Sequence, residues 1–278
     1  MRKFLVVVTV ACMGAIEAGA GNTTPFALGQ QGGLVIAVGI NGAGPFPMLL
    51  DTGANHSSIS AELAHALHAP PVARAVVSTP AGDRERLVVR IDRFTVGPIA
   101  VAGTATTVPA QDLRLGGELA GVLGQDVLAG LTYTIDYQRH RIAWDDRLEL
   151  NARGSIAELP MVFHDGIPVV ELIQGESMLQ LVADSGAGGL VLFDGADGGL
   201  PAMTPDGGRV RVDTLHGTAT ATSVRIDRFR VGRSTYRDYP AVLLPRTSAP
   251  AHRANGLLPL HIFNRVTFDG PGGRLILG

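Results

Sequence analysis

The chain repeats itself once, and that repeat limits its fold more than any other feature. Val89-Arg90-Ile91-Asp92-Arg93-Phe94-Thr95-Val96-Gly97 returns as Val224-Arg225-Ile226-Asp227-Arg228-Phe229-Arg230-Val231-Gly232, 135 positions later. Gly121-Val122-Leu123 returns as Gly256-Leu257-Leu258 at the same offset, and Gly82 returns as Gly217. Thr134-Ile135-Asp136 returns as Thr267-Phe268-Asp269 after 133. Collinear matches at near-constant spacing mark an internal duplication. Two copies are too few for a solenoid. They predict a pair of lobes about a pseudo-twofold axis, which brings equivalent points of the two halves together.

The repeated units read as strands. Leu34 to Ile40 is apolar and β-branched, Asn41-Gly42-Ala43-Gly44 is a turn signal, and Phe46 to Leu50 returns from it. Ser57 to His68 is the best helix candidate, with Ser60 as N-cap and Ile59, Leu63, Ala66 and Leu67 as its apolar side. Val72 to Ser78 and Arg86 to Val96 read as a long hairpin, and Gln125 to Ala129 as a short helix. Leu131 to Asp136 and Arg141 to Trp144 read as a closing hairpin. The second half repeats this order from about Pro160 and ends on Val266 to Asp269 and Arg274 to Leu277. The 36 glycines and 17 prolines suit many tight turns, and 17% charged against 46% hydrophobic residues excludes a disordered chain.

Equivalent places in the two halves carry Asp51-Thr52-Gly53-Ala54 and Asp184-Ser185-Gly186-Ala187. Each aspartate follows an apolar run, Met48-Leu49-Leu50 in one case and Leu179 to Ala183 in the other. A carboxylate at the end of a buried strand is costly unless something uses or neutralises it. Two of them near one axis point to a carboxyl dyad, in which adjacent groups share one proton because two like charges repel. A glycine after each aspartate permits a tight turn with its amides near the carboxylate. Thr52 and Ser185 are placed to donate hydroxyl hydrogen bonds across the interface. Taken singly, such an aspartate reads about equally well as a turn residue; the repetition favours the dyad.

With these residues the chain resembles the aspartic peptidases of the retropepsin and pepsin type, specifically the bacterial two-lobed retropepsin-like proteins. The first half gives Leu49-Leu50-Asp51-Thr52-Gly53-Ala54, then Thr79-Pro80-Ala81-Gly82-Asp83-Arg84 as a flap tip, then Val122-Leu123-Gly124-Gln125-Asp126. The resemblance covers nearly all of the chain after residue 30. It implies an all-β bilobal acid-protease fold with few short helices, in which two retropepsin-like β-barrel lobes hold the site between them. It implies Asp51 and Asp184 as catalytic residues, supported by Thr52, Gly53, Ala54, Ser185, Gly186 and Ala187. Val122, Leu123 and Gly124, with Leu257 and Leu258, would pack beneath the loops, and Ala81, Gly82 and Asp83 would lie in the flap. The implied reaction is hydrolysis of peptide or protein substrates by a water between the aspartates, with no metal or organic cofactor. A non-catalytic peptide-binding protein on the same fold is the other reading.

The second half departs from the family pattern. Pro259 stands where the first half has Gly124, and Ala183 precedes Asp184 where a bulkier residue is usual. Neither flap offers a tyrosine in the manner of pepsins. Ala54 and Ala187 replace the hydroxyl residue that pepsins carry, which removes a donor that would lower the dyad's pKa. A weakly acidic optimum, above that of pepsins, is expected. Because one chain carries both halves, a monomer is expected to form the site, with a homodimer as the other arrangement.

Other chemistries find little support. His65 and His68 lack a third ligand, Asp92 and Asp227 read as solvated strand residues, and His56 stands near the cleft rim. Ser185 lacks a Gly-x-Ser-x-Gly context, and no phosphate-binding glycine loop occurs. A net charge of −2 without a basic block gives no indication of nucleic acid. Arg2 and Lys3, the apolar run Phe4 to Ile16 and the small residues Ala18-Gly19-Ala20 read as a secretory signal over residues 1–20, too short for a membrane span. The expected organisation is then a first lobe over 21–150 and a second over 151–278, joined by the polar stretch Asp145 to Gly154. Export to the periplasm or beyond follows, and a mature chain without a membrane span. The single lysine against 22 arginines reads as a trace of a GC-rich bacterial genome. Cys12, the only cysteine, follows a poor lipobox, so lipid anchoring there is not expected; its removal would leave no thiol.

Overall fold

The computed structural model describes residues 22–29, 32–79, 82–113, 118–144, 154–174, 177–195, 199–214, 217–245 and 254–278. The expected signal over 1–20 with Cys12, the flap residue Ala81 and linker positions 145–153 lie outside these. The chain is nearly all β and two-lobed. In the first lobe, β1 (Thr23–Leu28), β2 (Leu34–Ile40) and β3 (Ala43–Leu50) form a meander. Leu34, Ile36, Val38 and Ile40 alternate inward along β2 and are fully buried. The β2–β3 turn is Asn41-Gly42 alone, both in the left-handed region at φ 52° and 82°. Such a pair closes a hairpin in two residues, so Ala43 and Gly44 belong to β3 and not to the longer turn expected.

Next come β4 (Ser58–Ser60) and α1 (Ala61–Ala66). Ser60 does cap the helix, its Oγ accepting the Leu63 N–H at 3.0 Å. The helix nevertheless starts later than expected. Residues 58–60 are buried and extended, and Ile59 packs as a strand residue. Ala64, and not Ala66, is the residue α1 buries. The flap hairpin is β5 (Pro71–Thr79) with β6 (Gly82–Val96), paired from Thr79↔Gly82 onward, and β7 (Ile99–Val108) runs beside it. β8 (Gly121–Leu123), α2 (Gln125–Leu128), β9 (Thr132–Asp136) and β10 (Arg141–Trp144) complete the lobe.

The second lobe repeats the order with β11 (Ala157–His164), β12 (Ile167–Gln174), β13 (Ser177–Asp184) and β14 (Leu190–Phe193). It begins a few residues before the expected Pro160. β15 (Met203–Thr214), β16 (Gly217–Val231) and β17 (Ser234–Leu244) follow, then β18 (Gly256–Pro259), β19 (Arg265–Asp269) and β20 (Arg274–Leu277). β6 and β16 have the same length, 15 residues each, so the second lobe also carries a long hairpin.

One pairing positions the site in both lobes. β8 lies between β3, which it meets in parallel at Leu50↔Leu123, and β4, which it meets antiparallel at Ile59↔Gly121. β18 lies likewise between β13 and β14, with Asp184↔Pro259 and Leu192↔Gly256. The crossing is tight enough that a Cβ on Gly121 would strike the Ser58 carbonyl, and one on Gly256 the Val191 carbonyl. This explains why the sequence repeats a glycine there.

The lobes join through strands in the order β1–β10–β9–β19–β20–β11. Thr134 pairs with Thr267 at the centre, and their hydroxyls meet at 2.9 Å. The register is symmetric about that pair, Thr132↔Asp269 on one side and Asp136↔Arg265 on the other. The pseudo-twofold axis passes through it. Tyr133 stacks on Phe268 at 4.8 Å, and the Trp144 indole donates to Thr24 Oγ1 at 2.8 Å, tying this sheet into the core.

The lobes differ at one seam. β2 pairs with β6 at Gly39↔Thr95 and Ile40↔Phe94. In the second lobe the Gln174 side chain makes the link, its Nε2 donating to the Arg230 carbonyl (2.6 Å) and its Oε1 accepting the Arg230 N–H (2.9 Å).

Candidate active site

Asp51 leaves the end of β3 with its N–H donating to the Leu123 carbonyl at 3.0 Å, and Asp184 is the last residue of β13. The parallel neighbours β8 and β18 hold these two ends on either side of the axis. The structure brings the two carboxyls together, each lying against the glycine of the opposite loop and each acting on the other's ionisation. Gly53 N–H donates to Asp51 Oδ1 at 2.8 Å. Gly186 N–H and Ala187 N–H donate to Asp184 Oδ1 at 2.7 and 3.0 Å. Each glycine also faces the opposite aspartate. A Cβ on Gly53 would sit 2.6 Å from Asp184 Cγ, and one on Gly186 would sit 2.8 Å from Asp51 Cγ. No larger residue fits either place without moving a carboxyl.

Thr52 and Ser185 tie the two loops together from behind. The Thr52 N–H donates to Ser185 Oγ (3.0 Å), which donates to the Leu50 carbonyl (2.8 Å). The Ser185 N–H donates to Thr52 Oγ1 (2.9 Å), which donates to the Ala183 carbonyl (2.6 Å). Both side chains are buried, so all four groups are satisfied within the protein.

Burial pushes both carboxyls above the ordinary carboxylate range. Asp184 is 7% exposed, and beyond its burial the charge of Asp51 raises it further, against the Gly186 and Ala187 amides. For Asp51 burial is opposed by the Gly53 N–H and by the neighbouring Asp184 carboxyl. The two carboxyls therefore titrate as one pair, holding a single proton between them where isolated carboxyls would both be ionised.

The remaining residues singled out in the sequence fall around this pair. Val122, Leu123 and Leu258 are buried, and Val122 packs with Leu49, Val108 and Leu113, against which Ala54 lies. Leu257 is half-buried. Gly124 lies against the loop after Asp51, where a Cβ would come 2.8 Å from the Ala54 carbonyl oxygen. Gly82 and Asp83 open β6 in the flap. Asp92, Asp227, His65 and His68 are exposed, and His56 is exposed beside the Asp51 loop.

Three residues that sequence reasoning missed brace the Asp51 loop. Ser57 Oγ accepts the Gly124 N–H (3.1 Å) and donates to Asp126 Oδ1 (2.7 Å), while Ser57 N–H donates to Asp126 Oδ2 (2.9 Å). Gln125 Nε2 donates to the Thr52 carbonyl at 2.9 Å from a buried side chain. The signal for them was the polar pair Gln125-Asp126 directly after the apolar corner Val122-Leu123-Gly124.

Comparison with known proteins gives a family. A model described as "Aspartyl protease" matches residues 36–127 and 171–278. Among solved structures, the chain is similar to conglutin gamma, a basic 7S globulin from lupine seeds, at 13% identity and a TM-score of 0.49, covering 92% of this chain and 94% of that one. It is similar to basic 7S globulin from soybean at 12% identity and a TM-score of 0.46, covering 92% and 95%. No curated protein matches the sequence.

Proposed function

The chain belongs to the aspartyl protease family, and from that premise we propose that it is an endopeptidase working through Asp51 and Asp184. The observation that carries this reading is the pair of facing carboxyls, each held by the amides of its own loop and each in contact with the other loop's glycine. In this reading the ionised member of the Asp51–Asp184 pair takes a proton from a water held between the carboxyls, and that water attacks the carbonyl carbon of a peptide bond. The protonated member donates to the carbonyl oxygen, giving a tetrahedral diol. The diol collapses as the C–N bond breaks and the leaving amine takes up a proton. Thr52 and Ser185 position the loops, and the flap of β5 and β6 covers an extended peptide. One chain supplies both aspartates, so a monomer suffices. The charged and apolar N-terminal stretch supports export as part of the same proposal.

The experiment is cleavage of a mixed peptide library by the mature protein across pH, beside Asp51→Asn and Asp184→Asn. Internal cuts that disappear in both variants are the expected result. Loss in one variant only would mean that the two aspartates do not work as a pair within one chain. A folded protein that cuts nothing at any pH would favour the peptide-binding reading, for which Pro259 beside Asp184 is the motivating departure.

A further inference from the structure

The flap arm is held down differently from its counterpart in the second lobe. β7 joins β6 from Val88↔Thr106 onward, so among the described residues 73–79 and 82–87 pair with each other and with no third strand. A two-stranded arm is marginal on its own. Apolar burial does not anchor this one. No described side chain over 71–88 is buried, and Val72, Val76 and Leu87 stand exposed. The second arm, β15 with the first part of β16, is packed instead. Ala219 and Ala221 are buried with Val191, Phe193 and Leu244, and Val210 and Val212 lie against them. The duplication puts Ala221 where Arg86 stands.

Arg86 reaches from the arm to the body of the lobe. Its Nη2 lies 3.4 Å from Oδ2 of Asp112, in the short 3-10 helix Ala110–Leu113. The two side chains are 18% and 20% exposed. Arg74 and Glu85, 3.6 Å apart on the same arm, are 68% and 60% exposed. An exposed pair of that kind contributes little, whereas a covered one is screened far less by water and salt. The 3-10 helix is itself fixed. Leu113 is fully buried with Leu49, Val108 and Val122, the cluster against which Ala54 of the Asp51 loop lies. One end of the tie is therefore on the arm, and the other is on the support of the first aspartate.

We propose that Arg86 and Asp112 are positioning residues that hold the flap in place over the cleft before substrate arrives. The inference rests on the peptidase reading of that cleft. Without the tie the arm divides its time between this position and others, and a peptide must first bring it back. Apparent affinity then falls in proportion to the fraction of arms in place, while a bound peptide meets an unchanged dyad. The effect belongs in KM and not in kcat.

The test is amide hydrogen exchange, read residue by residue, on Arg86→Met, Asp112→Asn and the double variant. Methionine keeps most of the arginine stem and its packing. Protected amides over 73–77 and 83–87 should exchange roughly three- to tenfold faster in each single variant, and no faster in the double, because either change already breaks the pair. Amides of β15 and of residues 217–221 should keep their wild-type rates. KM for a cleaved peptide should rise by a similar factor, with kcat within about twofold of wild type. Unchanged arm exchange in folded variants, equal acceleration in both arms, or single effects that multiply in the double variant would each overturn the proposal. So would a loosened arm with an unchanged KM. If the wild-type protein cuts nothing, the peptidase reading fails separately, and the exchange rates still decide whether the pair holds the arm.

Discussion

Replacing Thr52 by valine keeps the shape of the side chain and removes one oxygen from the lock between the lobes. That oxygen accepts the Ser185 N–H and donates to the Ala183 carbonyl. Both partners are left buried, and each orphaned group costs about 1–3 kcal/mol, so Thr52→Val should cost about 2–6 kcal/mol. Ser185→Ala leaves the Thr52 N–H and the Leu50 carbonyl in the same position, so its cost should lie within about 1 kcal/mol of the first. Against a typical total of about 5–15 kcal/mol, either loss is large. Urea unfolding followed by tryptophan fluorescence measures both. Trp144 is the only tryptophan, is 1% exposed, and stands in the sheet that joins the lobes, so its signal reports their separation. A lock made of two equivalent halves is refuted if one variant keeps wild-type stability while the other loses several kcal/mol, or if both stay within about 0.5 kcal/mol of wild type.

Two further outcomes follow from the same geometry. The folded pKa of Asp184 is raised above its unfolded value, so near neutrality the unfolded chain holds fewer protons there and the ionising carboxyl destabilises the fold. Asp184→Asn should therefore raise the urea midpoint at pH 7, and the gain should vanish below about pH 4, where wild-type Asp184 is protonated in both states; an equal gain at pH 3 and pH 7 would contradict this. Gly53→Ala puts a Cβ 2.6 Å from Asp184 Cγ and must displace a carboxyl. Peptide cleavage should fall roughly 100-fold or more while Trp144 fluorescence keeps its folded value, and activity near wild type would show that the carboxyls need not hold this position.

The sequence made the duplication, the hairpins and the two aspartate loops readable, because each is written in contiguous residues. Asn41-Gly42 announces a hairpin by its backbone freedom, and the repeated Asp-x-Gly-Ala stands out by its place after apolar runs. The short strand at Ser58–Ser60 was not readable. Its three residues precede a capped helix, and the spacing of Ile59 to Leu63 fits a helix face as well as a strand. Only the passage of β8 between β3 and β4 makes those residues extended, and that pairing reaches across about half the lobe. The lock of Thr52 with Ser185 could be anticipated as an interface bond, but its four partners could not, since two of them are backbone carbonyls. Gln125 and Asp126 stand out as a polar pair after an apolar corner, but nothing local says which groups they hold, because the Thr52 carbonyl and Ser57 lie about 70 residues away in sequence.

Pro259 shows how a departure in one residue is answered in another. In the first lobe the Gly124 N–H is buried and needs an acceptor, which Ser57 Oγ provides, and Ser57 in turn is held by Asp126. The duplication sets Leu190 against Ser57, Pro259 against Gly124 and His261 against Asp126. Proline has no N–H to satisfy, and buried Leu190 offers no hydroxyl that would need a partner. A glycine at 259 beside Leu190 would leave a buried donor unpaired, and a serine at 190 beside Pro259 would leave a hydroxyl without its amide. The pair of exchanges replaces a polar corner by an apolar one without orphaning a group. It leaves untouched the bonds that hold Asp184, which come from Gly186, Ala187 and the Thr52–Ser185 lock. The loss of the expected glycine therefore does not by itself disable the second aspartate. What it removes is a brace behind the loop.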